Sequence, residues 1–144
     1  MSLFVLDTDH ITLLHYGHAE VVARLDATPE EELAMTIVSV EEQLRGRFTQ
    51  VRKAHGADRL ARAYNGLSQV IATAKSVRVL PFTRSSVELF LELRKVLRRV
   101  GKFDLAIAAI VLEFGGTVVT RNRQDFEQVP GLRIEDWSKP RAER

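Results

Sequence analysis

Short unbroken apolar runs alternate with longer stretches in which apolar residues recur every three or four positions. Leu3-Phe4-Val5-Leu6 opens the series and stops at Asp7, the pattern of a strand buried on both faces. Leu33 to Val38, Val77 to Leu80 and Thr117 to Thr120 have the same character, and Leu132 to Ile134 is a short fifth candidate. Helical patterns lie between them. A weak one follows His10, and His18 to Leu25 is the next. Ser39 opens a long helix spaced on Val40, Leu44, Phe48 and Val51, and Gly56 separates it from a second helix over Ala57 to Ala74. Two helices in succession predict a hairpin. Ser85 to Arg99 is strongly periodic, and Asp104 begins an apolar helix closed by Gly115-Gly116.

Strands alternating with helices predict right-handed crossovers and an α/β fold. The expected architecture is a three-layer sandwich with a central parallel sheet of four to five strands, to which the helical hairpin is added. A length of 144 residues suits a single domain over residues 1–144, and no repeat or linker divides it.

Composition removes several chemistries. There is no cysteine, which excludes thiol nucleophiles, disulfides, thiolate zinc sites and iron–sulfur clusters. The longest apolar run, Leu105 to Leu112, falls far short of the ~20 residues a bilayer requires, and no signal-peptide pattern stands at the start. A soluble, cytoplasmic protein without a membrane partner is the expectation.

The net charge of +2 says little, but its distribution says more. Arg45, Arg47, Arg52, Lys53, Arg59 and Arg62 face one acid, Asp58, within the hairpin segment. Arg94, Lys95, Arg98, Arg99 and Lys102 form a second group with no acid, and Lys139, Arg141 and Arg144 a third. Such runs suit either solvated helix faces or a surface for phosphate, which arginine grips with its planar fork. With aromatics at only 7%, base stacking is expected to be a minor term.

In open parallel sheets ligands collect beyond the carboxyl ends of the strands. Asp7 and Asp9 follow the first strand there, Glu42 lies one turn into the helix after the second, and Asn122 and Asp125 follow the fourth. Asp104 opens the helix that leads to the fourth strand, where the helix dipole favours an anion. Each has an ordinary structural explanation. Ser39-x-x-Glu42 fits a capping box, Asp104, Asp7 or Asp9 fits a helix N-cap, and Asp125 fits a surface turn. Those explanations do not account for the convergence, because clustered carboxylates repel unless a cation neutralises them. Oxygen ligands without cysteine or histidine suit Mg²⁺ or Mn²⁺. His10, His15 and His18 match no zinc spacing and are assigned no role.

These segments resemble the PIN-domain family, and within it the VapC-type toxin ribonucleases. The match is carried by Val5-Leu6-Asp7-Thr8-Asp9, by Val38-Ser39-Val40-Glu41-Glu42-Gln43-Leu44-Arg45-Gly46 and by Phe103-Asp104-Leu105-Ala106-Ile107-Ala108-Ala109. Val118 to Phe126, Val129-Pro130-Gly131-Leu132 and Asp136-Trp137 complete it. The resemblance implies a metal-dependent endoribonuclease acting on single-stranded or structured RNA, the toxin of a type II toxin–antitoxin pair. It places the acids on Asp7, Glu42 and Asp104, the expected Mg²⁺ or Mn²⁺ ligands. Asn122 stands where some relatives carry Asp, so Asp125, one turn on, is the alternative fourth catalytic acid. Thr8 is expected to support Asp7, with Arg45, Arg47, Arg98, Arg99 and Lys102 steering RNA. A hairpin clip that dimerises and an antitoxin that covers the groove are implied as well.

Two rival readings stay open at this stage. Leu6-Asp7-Thr8-Asp9 also resembles the start of haloacid-dehalogenase-like phosphatases, although Arg121-Asn122-Arg123 stands where that family needs a Gly-Asp pair. A non-catalytic RNA-binding or interaction module on the same fold is the other.

Overall fold

The computed structural model describes residues 2–140 as a five-stranded parallel sheet covered by helices on both faces. The strands are β1 (Phe4–Leu6), β2 (Leu33–Thr36), β3 (Arg78–Leu80), β4 (Thr117–Val119) and β5 (Arg133–Glu135). The helices are α1 (Thr8–His15), α2 (Ala19–Asp26), α3 (Ile37–Lys53), α4 (Ala57–Ser76), α5 (Arg84–Val96), α6 (Lys102–Phe114) and the one-turn α7 (Arg123–Phe126). A 3-10 turn over Glu30–Glu32 precedes β2. The sheet order is β3-β2-β1-β4-β5, and every neighbouring pair is parallel.

Alternation along each strand divides the core in two. Val5, Ala34, Leu80 and Val118 point to one face, where α6 buries Leu105, Ile107, Ala108, Ile110 and Val111. Leu6, Leu33, Met35 and Val119 point to the other, against Ile11 of α1, Val21 of α2 and Trp137 beyond β5. Trp137 packs against the Phe4 ring at a centroid distance of 5.5 Å. Helix α6 ends at Gly115 in the left-handed conformation (φ 70°). Gly116 follows, where an added Cβ would come within 3.0 Å of the Leu3 carbonyl. The Gly-Gly pair therefore both stops the helix and lets β4 start flush against β1.

Three boundaries differ from the sequence expectation. The apolar run Leu33 to Val38 does not remain a strand to its end, because Thr36 turns it into α3 by accepting the Ser39 backbone N–H at 3.1 Å. Helix α5 stops at Val96 rather than Arg99, since the chain turns inward to bury Val100. Helix α6 starts at Lys102 with Gly101 as its N-cap, which puts Asp104 inside the first turn and not at the cap. No described helix is long and apolar enough to cross a membrane. Of the third basic group, Lys139 is exposed, while Arg141 and Arg144 lie outside the described residues.

The first core is the larger store of packing. Ile110→Ala, at a fully buried position of α6, should lower unfolding free energy by about 2–5 kcal/mol. A urea titration read on Trp137 fluorescence should show an earlier midpoint at an unchanged slope.

Candidate active site

The chain runs outward from β1 through β2 to β3, then returns to place β4 on the other side of β1. The crevice beyond the carboxyl ends of β1 and β4 is thus the topological switch point, where open parallel sheets leave room for a ligand. Asp7 comes directly after β1 and Thr120 directly after β4. Together with Thr8, Asp9, Glu42, Asp104 and Asn122, Asp7 lines a pocket of about 280 Å³ there.

Asp7 forms its floor and is 5% exposed. It is the N-cap of α1, its Oδ1 accepting the backbone N–H groups of Asp9 (3.1 Å) and His10 (3.3 Å). Its Oδ2 accepts the Thr120 hydroxyl at 2.6 Å. Capping and a place in the pocket are compatible, because an N-cap carboxylate keeps lone pairs free on its outer side. Thr8 does not support Asp7 as the sequence reading expected. As the first residue of α1 it turns toward α3, and its hydroxyl donates to Glu42 Oε1 at 2.8 Å. Glu42 is also no capping-box residue, since α3 begins at Ile37 and places Glu42 in its second turn.

Asn122 ties the remaining acids together. Its Nδ2 donates to Asp104 Oδ2 and to Asp125 Oδ2, both at 3.0 Å, while its backbone N–H donates to Thr120 Oγ1 at 2.9 Å. Asn122 lines the pocket, whereas Asp125 stands behind it and acts on Asp104 by its charge.

Asp9 and His10 went unassigned from sequence, yet both belong to this network. Asp9 Oδ1 accepts the His10 Nδ1–H at 2.7 Å, and Asp9 Oδ2 accepts the Arg121 backbone N–H at 3.3 Å. His10 is fully buried, and its Nε2 accepts the Trp137 backbone N–H at 3.1 Å, which fixes the proton on Nδ1. Asp7, Asp9 and His10 bring one potential ligand atom each within 4.8 Å of one another. Both His10 nitrogens are already engaged, so its part is to hold Asp9. Asp9 could have been found from its place two residues after Asp7 at the helix start. Thr120 had no comparable signal, because its contact with Asp7 depends on β4 lying beside β1.

The electrostatics follow from the burial. Burial, and then the side chain and charge of Asp9, push the Asp7 carboxyl up to about 8 against the Thr120 and His10 hydrogen bonds. Asp104 is raised to about 6 by burial and by the charges of Glu42 and Asp125. Burial also raises Glu42, which the Thr8 hydrogen bond only partly opposes. Burial works to raise Asp9 too, but the hydrogen bonds it accepts from the His10 and Asp7 side chains and from the Arg121 backbone N–H leave it lowered. Among the described residues no lysine or arginine pairs with Asp7, Glu42, Asp104 or Asp125, and Arg121 only approaches Asp9 at 3.9 Å. The pocket is therefore short of positive charge, and its free donors are hard oxygens. That set fits a divalent cation of the Mg²⁺ or Mn²⁺ kind. Glu42 and Asp104 are not part of the 4.8 Å grouping and join Asp7 as lining residues of the same pocket.

The basic residues separate into three places. Arg45 and Lys102 both lie over the Phe103 ring at 5.4 Å, beside Asp104, with Arg45 also paired to Glu41 at 3.0 Å. Arg98, Arg99 and Lys102 line a hollow of about 450 Å³ at the α5–α6 turn. Arg47 lies apart from both, in a cleft between α1 and the α3–α4 hairpin.

A parallel α/β sheet with carboxylates gathered at its switch point is a recurrent nuclease-like arrangement, and comparison with known proteins gives it a family. The chain matches the PIN domain over residues 4–132 and belongs to the PIN-domain family. It is 30% identical over 118 residues to the tRNA(fMet)-specific endonuclease VapC of Salmonella typhimurium, covering 71% of this chain and 89% of that protein. The protein of the same description from Shigella flexneri is 31% identical over 94 residues, covering 62% and 71%. Among solved structures, DNA-bound VapBC from Salmonella typhimurium superposes with a TM-score of 0.78 at 25% identity, over 95% of this chain and 99% of that one. The family assignment sets aside the haloacid-dehalogenase resemblance of Leu6 to Asp9.

A raised carboxyl pKa means that the folded state binds protons the unfolded chain has already released. For Asp7 the window runs from about 4 to about 8, and for Asp104 from about 4 to about 6. Their stabilising contribution is complete below pH 4 and disappears as pH rises through the folded values. In EDTA, the melting temperature of the native chain relative to Asp7→Asn should therefore fall between pH 5 and pH 8. Added Mg²⁺ should recover more stability at pH 8 than at pH 5.5, as differential scanning calorimetry would record.

Proposed function

We propose that this PIN-domain protein is a Mg²⁺- or Mn²⁺-dependent endoribonuclease that hydrolyses phosphodiester bonds of single-stranded or structured RNA, and that it is the toxin of a toxin–antitoxin pair. The observation that carries the reading is the convergence of Asp7, Glu42 and Asp104, from three separate segments, on one pocket without a protein counter-charge. The VapC endonucleases it resembles and the VapBC complex that shares its fold support the activity and the antitoxin partner. A non-catalytic binding module would have no use for carboxylates held at this electrostatic cost.

In this mechanism Asp7, Glu42 and Asp104 would hold the cation. When bound, the cation supplies the counter-charge and the Lewis acidity that make water a competent nucleophile near neutral pH and screen the scissile phosphate. Thr120 and the α1 N-terminus keep Asp7 in place, and Thr8 keeps Glu42 where it can orient the attacking water. Asn122 fixes Asp104 and keeps Asp125 behind it as additional negative charge. Water attacks phosphorus, the bond to the 3′ oxygen breaks, and the ends left are a 5′-phosphate and a 3′-hydroxyl. Arg45, Lys102, Arg98 and Arg99 lie on the Asp104 side and grip flanking phosphates.

A homodimer is part of the same reading. Leu60, Tyr64 and Ile71 share one face of α4, and with Phe48 of α3 they leave an apolar surface 40–53% exposed on the hairpin. A cytoplasmic location suits a ribonuclease without cysteines.

Asp7→Asn, Glu42→Gln and Asp104→Asn should each reduce cleavage of a labelled RNA in Mg²⁺ or Mn²⁺ by at least about a hundredfold. Circular dichroism should show each metal-free variant folded, since Asn and Gln preserve shape and the Asp7 cap. Full activity in all three would refute the assignment.

A further inference from the structure

We propose that the cleft between α1 and the α3–α4 hairpin is a nucleotide-binding subsite, holding one base and its phosphate of the RNA strand that passes the acidic pocket. The inference rests on the ribonuclease reading and adds the course of the strand. The cleft has a volume of about 350 Å³, the lower end of the range of about 300–1,000 Å³ common to small-ligand sites. Thr8, Thr12 and Glu42 line both hollows, so a strand whose phosphate lies at the acids reaches the cleft with its neighbouring nucleotide.

The lining offers the chemistry a nucleotide uses. Gln43, Arg47 and Gln50 recur at i, i+4 and i+7 along one face of α3, and Gln69 faces them from α4. Amides both donate and accept, as the edge of a splayed base requires, and the guanidinium suits a phosphate. At the mouth stands Tyr16, 84% exposed, an aromatic platform that pairs with no other ring among the described residues. The Gln43 side-chain oxygen is buried and accepts no hydrogen bond. Buried polar atoms are ordinarily paired, and this oxygen, which has almost no accessible surface, meets a base donor only once the Gln43 side chain turns out into the cleft that the residue lines.

Two helical glycines shape the space. Gly46 lies inside α3 on the cleft lining, and a Cβ built there meets nothing within 4 Å. No packing within the chain demands glycine at that point, where alanine is the better helix former, so its effect is to leave the cleft open. Gly66 of α4 does the reverse. A Cβ there would come 2.7 Å from Arg47 Nη1, so bare backbone lets the guanidinium lie across the hairpin. There Arg47 donates to Gln50 Oε1 at 3.2 Å and to Gln69 Oε1 at 3.3 Å. The back wall is held by His15, whose Nε2–H donates to Thr73 Oγ1 at 2.8 Å, Thr73 in turn donating to the Gln69 carbonyl. An arginine-bearing, amide-lined cleft favours a nucleotide over a basic peptide of a partner protein.

The test is fluorescence anisotropy of a mixed-sequence oligoribonucleotide binding the full chain in Mg²⁺, with Asp104→Asn as the cleavage-silenced parent. Tyr16→Ala, Gln69→Ala and Gly46→Met should each weaken binding about fivefold or more, and Tyr16→Phe should restore it. Gly46→Met should leave the melting temperature at or above the parent's, so that its effect reports blockage and not unfolding. In the active chain, Gln43→Ala should flatten the base preference next to the cut in a randomised RNA pool. Tyr16→Ala and Gly46→Met binding RNA within twofold of the parent, while the native chain cuts the same RNA, overturns the subsite and leaves the ribonuclease reading standing. Loss of antitoxin binding alone in those variants overturns it in favour of a protein occupant. A native chain that binds RNA through the cleft but never cuts it upholds the subsite and sinks the nuclease assignment.

Discussion

The burial of several carboxylates at one sheet edge is the constraint on which the rest of the structure turns. Asp7, Glu42 and Asp104 are each held away from bulk water, and a neighbouring acid adds to that cost: Asp9 for Asp7, Glu41 for Glu42, and Glu42 with Asp125 for Asp104. The fold tolerates this because each acid is fixed from outside the pocket by neutral donors: Thr120 and the α1 backbone for Asp7, Thr8 for Glu42, Asn122 for Asp104. None of these donors brings a positive charge. The result is a rigid hollow whose acids retain protons to higher pH than free carboxyls and whose oxygen donors fit a divalent cation.

Rigidity comes from the two cores on which the hollow stands. Helix α6 buries seven consecutive residues, Leu105 to Val111, and so carries Asp104 on its first turn with little freedom to move. On the opposite face, the buried His10 connects Asp9 to the backbone at Trp137. Trp137 is thereby joined to the start of α1, although the two are separated by 127 positions in sequence. That link explains why Trp137, just beyond β5, packs inward.

The charged surface complements the hollow by position more than by total. Arg45 and Lys102 come from different helices yet share the Phe103 ring next to Asp104, so basic side chains surround an acidic centre. Arg47, in the same sequence cluster as Arg45, belongs to a separate cleft because two residues of helix rotate it about 200° away. A basic run in the sequence is thus several distinct surfaces in the folded chain.

Strand and helix periodicity determined the parallel α/β sandwich, the hairpin and the presence of acids at strand ends, because those depend on local spacing and on a handedness rule with few exceptions. Asp7, Glu42, Asp104 and Asn122 were legible for that reason, and the family resemblance supplied their register. Tertiary structure alone decided the partners. Thr8 serves Glu42 and not Asp7, Thr120 closes on Asp7, and Asp125 stands behind Asn122, since each contact crosses between elements whose adjacency is set by sheet order. It also decided where α3 and α6 begin: the caps are Thr36 and Gly101, not Ser39 and Asp104, because burial of Val38 and Val100 outweighs the local capping signals.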